Sequence, residues 1–288
     1  MKIYELFNRK EPVISFEIFP PKATFPVETI YKTIEGLKEL QPAFISVTYG
    51  AGGSSSARTI EIADKVKNSY GIETVSHLTC VGSTKEQIDM TLDQLKAQGI
   101  ENILALRGDP PAGQTSFVQP VNGYKYARDL VQHIKSRGQF GIAAAAYPEG
   151  HMECSSLEQD VAYLKEKVDE GVDFLITQLF FNNALFYSFK EKTQKAGIAC
   201  PISVGIMPVL NASQIERITS LCGASIPEKL RKLLDKYGNN PADMEKAGLE
   251  YACEQILDLL SNRVDGIHLY TMNKAEQVKY IMQQIGLK

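Results

Sequence analysis

One carboxylic acid lies inside an apolar run near the N-terminus. The run is VISFEIF at residues 13–19, where Glu17 is flanked by Phe16 and Ile18 and two prolines follow. Apolar neighbours disfavour the ionised form of a carboxyl group, and a carboxyl that holds its proton near neutral pH suits general acid catalysis. Glu17 is therefore a candidate general acid. The alternative is a structural ion pair with a nearby lysine or arginine.

A second group of charged residues closes the apolar run NILALRGD at residues 102–109. Arg107, Gly108 and Asp109 stand at its end, and two prolines then stop any regular strand pairing. Buried strands that finish in charged groups are the means by which parallel barrels place reactive side chains at one end. The simpler interpretation is that Arg107 and Asp109 bridge to each other or hold a neighbouring loop.

Three further features have both a structural and a functional interpretation. His77 has no second histidine three or four residues away, so a metal site is not expected and a satisfied core histidine is the simpler reading. The alanines before Tyr147 predict either tight packing or a flat wall for an aromatic ring system. Gly50, Gly52 and Gly53 fit an ordinary loop or a close approach of backbone to a cofactor.

Short β-rich segments alternate with helical patterns along the whole chain. This alternation predicts an α/β protein with a single (β/α)8 TIM barrel domain and a helical excursion at about 211–262 before the last strand. A doubly wound sheet would need a GxGxxG turn after the first strand, and FPPKAT does not provide one. The predicted strands are 13–19, 44–49, 74–80, 102–109, 141–147, 174–181, 202–207 and 266–271.

Side chains alternate between the two faces of a strand, so parity predicts which residues point into the barrel. In the fourth strand, parity groups Ala105 with Arg107 and Asp109 on the interior face, and it directs Leu104 and Leu106 to the helices. The same count predicts polar interior side chains near the carboxyl ends of other strands. These groups are Ser15 with Glu17, Ser46 with Thr48, and Ile176 with Gln178.

Composition excludes several classes of function. The chain has 288 residues, 44% of them hydrophobic, and a net charge of -3, which gives no reason to expect nucleic acid or an anionic membrane as a partner. No apolar run has the length of a membrane span, and the N-terminus lacks a signal-peptide pattern. Five scattered cysteines without CxxC predict reduced thiols in a cytoplasmic protein and no iron–sulfur or zinc site in this chain.

Eight motifs, in order and spread over nearly the whole chain, resemble the bacterial methylenetetrahydrofolate reductases. Any one of them is weak by itself, but eight in the family's order are specific. The motifs are SFEIFPP (15–21), VTYGAGG (47–53), HLTC (77–80), LRGDPP (106–111), AAYPEGH (145–151), TQLFF (177–181), GIMPV (205–209) and HLYTMNKAE (268–276).

The resemblance implies a flavin, normally FAD, across the C-terminal mouth of a (β/α)8 barrel. It implies ping-pong hydride transfer through flavin N5 from a reduced donor to 5,10-methylenetetrahydrofolate, which gives 5-methyltetrahydrofolate. The implied partners are this folate and an electron donor, which is NADH, NADPH or an iron–sulfur electron-donating subunit. The resemblance leaves open whether the chain forms a homo-oligomer. Two alternatives remain: the catalytic subunit of a complex that depends on such a partner, and a flavin-free barrel enzyme that acts on a pterin.

Carried over residue by residue, the resemblance assigns Glu17 as the general acid that protonates N10 of the folate. It assigns Asp109 a place beside both flavin and pterin, where a negative charge tunes the flavin. Gln178, Gln214 and Lys274 match substrate-binding positions, although arginine is frequent at the last one. Flavin-contacting or adjacent nicotinamide-contacting positions are Thr48, Tyr49, Ala51, His77, Arg107, Gly108, Asp109, Ala127, Tyr147, His151, Asp160 and Lys167.

The chain departs from the family pattern where the adenine half of FAD is expected. Glu166 stands where a basic residue is usual, just before Lys167, and Tyr163 and Cys154 also differ from the usual residues. A carboxylate beside a diphosphate is unfavourable. These departures make FMN the alternative cofactor.

Overall fold

The computed structural model describes residues 1–22, 24–49, 56–110 and 117–287. Its eight strands form a closed parallel barrel in chain order, and the first strand pairs with the last. The predicted (β/α)8 fold is therefore confirmed. The strands are β1 (Val13–Ile18), β2 (Phe44–Val47), β3 (Thr74–Thr79), β4 (Asn102–Leu106), β5 (Gly141–Ala146), β6 (Phe174–Thr177), β7 (Ile202–Ile206) and β8 (Gly266–Tyr270).

Helices follow the strands and cover the outside of the barrel. A 3₁₀ helix (Ile3–Asn8) precedes β1, and a π-helix (Lys65–Ser69) continues α2. None of the helices within the described ranges combines the length and apolar character that a membrane span needs. The α-helices are α1 (Glu28–Lys38), α2 (Ser56–Asp64), α3 (Lys85–Ala97), α4 (Ala127–Ser136), α5 (Leu157–Asp169), α6 (Asn183–Lys195), α7 (Ala212–Cys222), α8 (Glu228–Tyr237), α9 (Pro241–Ser261) and α10 (Ala275–Gln284).

Short polar side chains begin several of these helices. The Thr84 hydroxyl accepts a hydrogen bond from the Gln87 amide, and the Gln87 side chain accepts one from the Thr84 amide. At the start of α5 the Ser156 hydroxyl accepts a hydrogen bond from the Gln159 amide. The predicted helical excursion is α7 to α9, and its first helix ends at Gly223, whose φ of 76° is typical of a helix C-terminus.

The barrel is filled at its N-terminal end by a cluster of apolar side chains, here called the base cluster. The 3₁₀ helix lies against it and contributes Ile3 and Leu6, which are buried. Burial of this much apolar surface stabilises the barrel and leaves the opposite end of the strands for chemistry. The other buried members are Val13, Phe44, Val75, Leu104, Ala143, Phe174 and Ile176.

The predicted parity of the fourth strand is wrong. Leu104 belongs to the base cluster inside the barrel, whereas Ala105 packs in the core between strands and helices. The error arises because β4 ends at Leu106, so the charges of Arg107 and Asp109 lie beyond the strand and do not identify its interior face, and Gly108 adopts a φ of 86°. Alternation cannot be counted back from Asp109 through a left-handed residue. Parity is correct for β1, β2 and β6, whose polar interior residues lie at the candidate site.

Candidate active site

The carboxylate of Glu17 points into the barrel at the C-terminal end of β1. Its Oε2 lies 3.5 Å from Ser46 Oγ, 3.5 Å from His77 Nε2 and 3.7 Å from His268 Nε2, and the side chain is 18% exposed. Among the described residues, no lysine or arginine forms an ion pair with it. The alternative of a structural ion pair therefore finds no partner in that part of the chain.

His268 of β8 links Glu17 to the floor of the site. Its Nδ1 lies 2.7 Å from Ser15 Oγ, and its Nε2 lies 3.1 Å from Ser46 Oγ. Ser15 Oγ also lies 3.3 Å from the Ile267 carbonyl oxygen, so Ser15, His268 and Ser46 form a continuous polar chain that ends at Glu17. The Ser46 hydroxyl therefore contacts both the imidazole and the carboxylate of Glu17.

Sequence reasoning missed His268 as a site residue. The signal was present in β8, GIHLY, where Gly266, His268 and Tyr270 alternate with two apolar residues. The barrel register aligns Ser15 with His268 and Glu17 with Tyr270. Parity applied to the last strand would have placed the imidazole beside the candidate acid.

His77 is the second imidazole beside Glu17, and it is uncharged. Burial lowers the pKa of His77 to about 4, and this outweighs the opposite effect of the Glu17 carboxylate. Its Nε2 is buried and has no hydrogen-bond partner among the described residues. His77 therefore offers an unused polar atom to a ligand rather than a positive charge to Glu17.

The depressed pKa of His77 predicts a loss of stability in acid. The unfolded chain binds a proton at His77 below its ordinary pKa of 6.5, whereas the folded chain binds it only near 4. The neutral imidazole thus contributes stability that is present above pH 6.5 and is lost as the pH falls toward 4. Between about pH 7 and pH 4.5, wild type should lose about 2 kcal/mol more unfolding free energy than His77→Gln. Urea titrations at the two pH values measure this, and equal losses would contradict it.

A cavity of about 180 Å³ opens beside Glu17 at the mouth of the barrel. The Gln178 side chain lies in its wall, where Oε1 accepts a hydrogen bond from the Leu179 amide at 2.9 Å. The Tyr270 hydroxyl donates to the Thr177 carbonyl at 2.6 Å. A mixed wall of this kind suits a ring system with polar edges. The lining residues are Glu17, Phe19, Gln178, Leu179, Met207, Tyr270, Thr271 and Met272.

Arg107 holds a neighbouring loop. Its guanidinium donates two hydrogen bonds to the Glu153 carboxylate, at 2.5 Å and 2.8 Å, and stacks over the Phe117 ring. Glu153 lies in the loop between β5 and α5, and its amide donates to His151 Nδ1. Asp109 is exposed and is not the partner of Arg107. Of the two simpler interpretations of this pair, the loop contact is confirmed for Arg107 and the mutual bridge is wrong.

Ionisable groups with shifted pKa values lie on α5 and in the loop that joins β5 to α5. Burial lowers the pKa of Lys167 to about 8, against the attraction of Asp160, and its Nζ donates to the Ala145 carbonyl at 2.7 Å. Burial raises the pKa of Asp160, and it raises that of Tyr147 to about 12. The Tyr147 ring meets the His151 ring edge to face, with centroids 4.9 Å apart. Such shifts are frequent where a protein binds a charged ligand.

Two features of the mouth fit a polar ligand held close to the backbone. A Cβ at Gly108 would lie 2.5 Å from Val81 Cγ1, so a side chain there would have to displace Val81. Three buried polar atoms on β3 and just after β2 have no hydrogen-bond partner among the described residues: Thr48 Oγ1, His77 Nε2 and Thr79 Oγ1. Buried polar atoms are rarely left unpaired. Sequence reasoning missed Thr79, although it shares the interior parity of His77.

Comparison with known proteins identifies the family. The model of the family described as methylenetetrahydrofolate reductase matches residues 2–286. The chain belongs to the methylenetetrahydrofolate reductase family.

Individual relatives agree with this assignment. Methylenetetrahydrofolate reductase (NADH) 1 of Arabidopsis thaliana is 38% identical over 297 residues, which cover 99% of this chain and 50% of the relative. The chain thus spans about half the length of the plant relatives. The 5,10-methylenetetrahydrofolate reductase of Escherichia coli is 34% identical over 275 residues, covering 96% of this chain and 91% of the relative.

One solved structure shares the fold at low sequence identity. It is an uncharacterized protein from Clostridium thermocellum, described as binding two copies of 5-methyl-5,6,7,8-tetrahydrofolic acid. The TM-score is 0.70 at 16% identity, and the match covers 99% of this chain and 98% of that chain. At this identity the likeness supports the barrel fold alone.

Some of the residues that family resemblance assigns lie apart from the cavity. Gln214 is exposed in the first turn of α7, and Lys274 is exposed just before α10; neither lines the cavity beside Glu17. Tyr49 packs against the outer core, and Ala127 is the first residue of α4. Ala51 lies outside the described residues, as do Gly50, Gly52 and Gly53.

The residue that departs most from the family pattern, Glu166, is neutralised by a partner. Its carboxylate accepts a hydrogen bond from Arg128 of α4 across the surface between α4 and α5. Both side chains are about half exposed. Tyr163, one turn earlier on α5, is 55% exposed. The carboxylate therefore does not stand alone on this surface, and it engages a cation that an anionic ligand could otherwise use.

Proposed function

We propose that this chain reduces 5,10-methylenetetrahydrofolate to 5-methyltetrahydrofolate with the help of a bound flavin. The observation that carries the proposal is the inward carboxylate of Glu17, which lines a cavity at the barrel mouth and has no cationic partner among the described residues. Membership of the methylenetetrahydrofolate reductase family supports the reaction. The family's plant members are named for NADH, so NADH is the first electron donor to test.

The residues at the mouth fit a flavin. The unpaired atoms of Thr48, His77 and Thr79 would meet the polar edge of its ring system, and Gly108 would allow a close approach of backbone. Arg107 and Lys167 are two cations that would meet the phosphate-bearing part, where the phosphate would compete with Glu153 for Arg107. A bound flavin supplies the exchange of hydride between donor and folate. FAD is the expected form, and FMN is the alternative.

Glu17 would deliver the proton that the folate needs at N10. The Ser46 hydroxyl connects the carboxylate to His268 and would hold it in place beside the folate. The apolar wall, which includes Leu179 and Met207, would exclude water from the reacting atoms. Gln178 would contact the polar edge of the pterin, and Asp109 would add negative charge at the mouth.

The purified protein tests this proposal directly. A yellow protein whose absorbance near 450 nm is bleached by NADH or NADPH without oxygen, and restored by 5,10-methylenetetrahydrofolate, supports it. Release of the chromophore then distinguishes FAD from FMN. Bleaching by dithionite alone, followed by folate-dependent recovery, would indicate an electron-donating partner subunit. A protein that neither retains nor takes up flavin would refute the proposal.

The ion pair between Glu166 and Arg128 leads to a prediction about how tightly the protein binds FAD relative to FMN. Glu166→Gln should release Arg128 and tighten binding of FAD by roughly two- to fivefold, with no change for FMN, because an exposed charge interaction is worth less than about 1 kcal/mol. Isothermal titration of the apoprotein with both flavins measures the effect. Glu158→Gln is the matched control, since Glu158 lies on the same helix and pairs with Lys192 instead. Equal shifts in the two variants would attribute the gain to net charge alone.

A further inference from the structure

The turn after β8 has an unfavourable backbone conformation next to the cavity. Met272 and Asn273 are consecutive non-glycine residues with φ values of 52° and 55°. The left-handed region is disfavoured for residues that carry a Cβ, and such strain persists only where the surroundings enforce it. Met272 lines the cavity beside Glu17. The strain therefore lies at the candidate site and requires a compensating set of contacts.

Those contacts join the turn to the end of β1. The side-chain Oδ1 of Asn273 accepts a hydrogen bond from the Phe19 amide at 3.1 Å, and its Nδ2 donates to the Phe19 carbonyl at 2.8 Å. The last residue pair of the two strands is Glu17 with Tyr270. The side-chain amide of Asn273 thus takes the place of a peptide group. It extends the pairing with β1 past the point where β8 has turned away.

The backbone of Glu17 is held from the same turn. Its carbonyl accepts hydrogen bonds from the Thr271 amide at 3.2 Å and from the Thr271 hydroxyl at 2.6 Å. The Thr271 hydroxyl in turn accepts a hydrogen bond from the backbone N–H of Asn273 at 3.1 Å. On the outer side, the Thr33 hydroxyl of α1 donates to the Asn273 carbonyl at 3.3 Å. The turn is therefore fixed from both sides.

We propose that Asn273 is a positioning residue for the candidate acid Glu17. It clamps the peptide groups of Phe19, two residues beyond Glu17, and through Thr271 it fixes the Glu17 carbonyl itself. The clamp also holds Phe19 and Met272 in the cavity wall. Loss of the clamp lets the end of β1 move relative to the folate, while the opposite side of the mouth, with Arg107 and Lys167, is untouched. This inference rests on the proposed function for its catalytic consequence.

Asn273→Gly is the decisive variant because glycine accepts the left-handed backbone but has no amide side chain. In the flavin-loaded protein, we expect hydrogen exchange of the Phe19 amide to accelerate at least tenfold. Reoxidation of the reduced flavin by 5,10-methylenetetrahydrofolate should slow at least tenfold, while reduction by the electron donor stays within twofold of wild type. Asn273→Asp keeps the oxygen acceptor for the Phe19 amide, so it should restore protection there and part of the folate rate.

The control is Gln41→Gly, a non-glycine residue with a φ of 51° between α1 and β2. It should change neither half-reaction. The positioning role is overturned if Asn273→Gly leaves the folate step unchanged, or if it slows both half-reactions in the same proportion, as a general loss of stability would. If wild type itself fails to reduce the folate, the proposed function fails and the catalytic role of the clamp falls with it. Hydrogen exchange of the Phe19 backbone amide still reports separately whether the side-chain amide of Asn273 holds β1.

Discussion

Glu17→Gln should slow reduction of 5,10-methylenetetrahydrofolate by about 10²- to 10⁴-fold, the usual contribution of a general acid. Flavin content and flavin reduction by the electron donor should stay within twofold of wild type. The two half-reactions separate because the donor step requires no proton at folate N10. Stopped-flow absorbance, with each half-reaction followed alone under anaerobic conditions, measures both rates.

The neighbours of Glu17 explain why glutamine should be tolerated structurally but not chemically. The carboxylate contacts the Ser46 hydroxyl and two imidazoles, and His77 is kept neutral by burial. A glutamine oxygen can still accept from Ser46, so the network survives the substitution. The amide cannot release a proton to the folate. The loss should therefore appear as a rate, and not as a loss of folding.

Two companion variants define the effect. Ser46→Ala removes the hydroxyl shared by Glu17 and His268, and it should slow the folate step less than Glu17→Gln does. Glu35→Gln changes a carboxylate that interacts with the Tyr70 hydroxyl on the outer side of the barrel, and it should leave both half-reactions unchanged. A wild-type folate rate in Glu17→Gln would remove Glu17 from the role of acid.

Much of the fold could be predicted because its signals are local. Apolar runs ended by prolines identify the strands, and short polar residues such as Thr84 and Ser156 begin helices through contacts only three residues away. The predicted strand ends were too late wherever the chain stays apolar or charged past the last paired residue, as at β4 and β6. A strand ends where its neighbour ceases to pair with it, and the neighbour is distant in sequence. The spacing of apolar residues does not distinguish the π-helix that continues α2 from an ordinary α-helix.

The site was only partly predictable for the same reason. Glu17 could be selected as a candidate because its apolar neighbours are adjacent in sequence. His268 and Asn273 act on β1 from positions more than 250 residues away, so their roles depend on closure of the barrel between the first and last strands. The pairing of Arg107 with Glu153 likewise joins two loops that no spacing connects. Residue type suggests chemistry, whereas partner choice requires the fold.

Gly108→Ala should destabilise the protein by about 2–4 kcal/mol, the combined cost of a left-handed alanine and an overpacked contact. The added Cβ would lie 2.5 Å from Val81 Cγ1 and 3.1 Å from Thr79 Cβ. These atoms cannot retreat freely, because the Val81 amide donates to the Arg107 carbonyl at 2.9 Å and ties the two loops together. Urea unfolding of the purified variant measures the loss.

The two causes can be separated with variants of the same chain. Gly82 has a φ of 69° and open space around its missing Cβ, so Gly82→Ala reports the conformational cost alone. The excess in Gly108→Ala is then the contact with Val81, and the double variant Gly108→Ala, Val81→Ala should recover that excess. Because the strain would displace Arg107 and Asp109, flavin binding should weaken at least tenfold in the single variant and recover in the double one. Equal stability losses at Gly82 and Gly108 would show that Val81 moves aside, and glycine would then be needed at position 108 for its backbone conformation only.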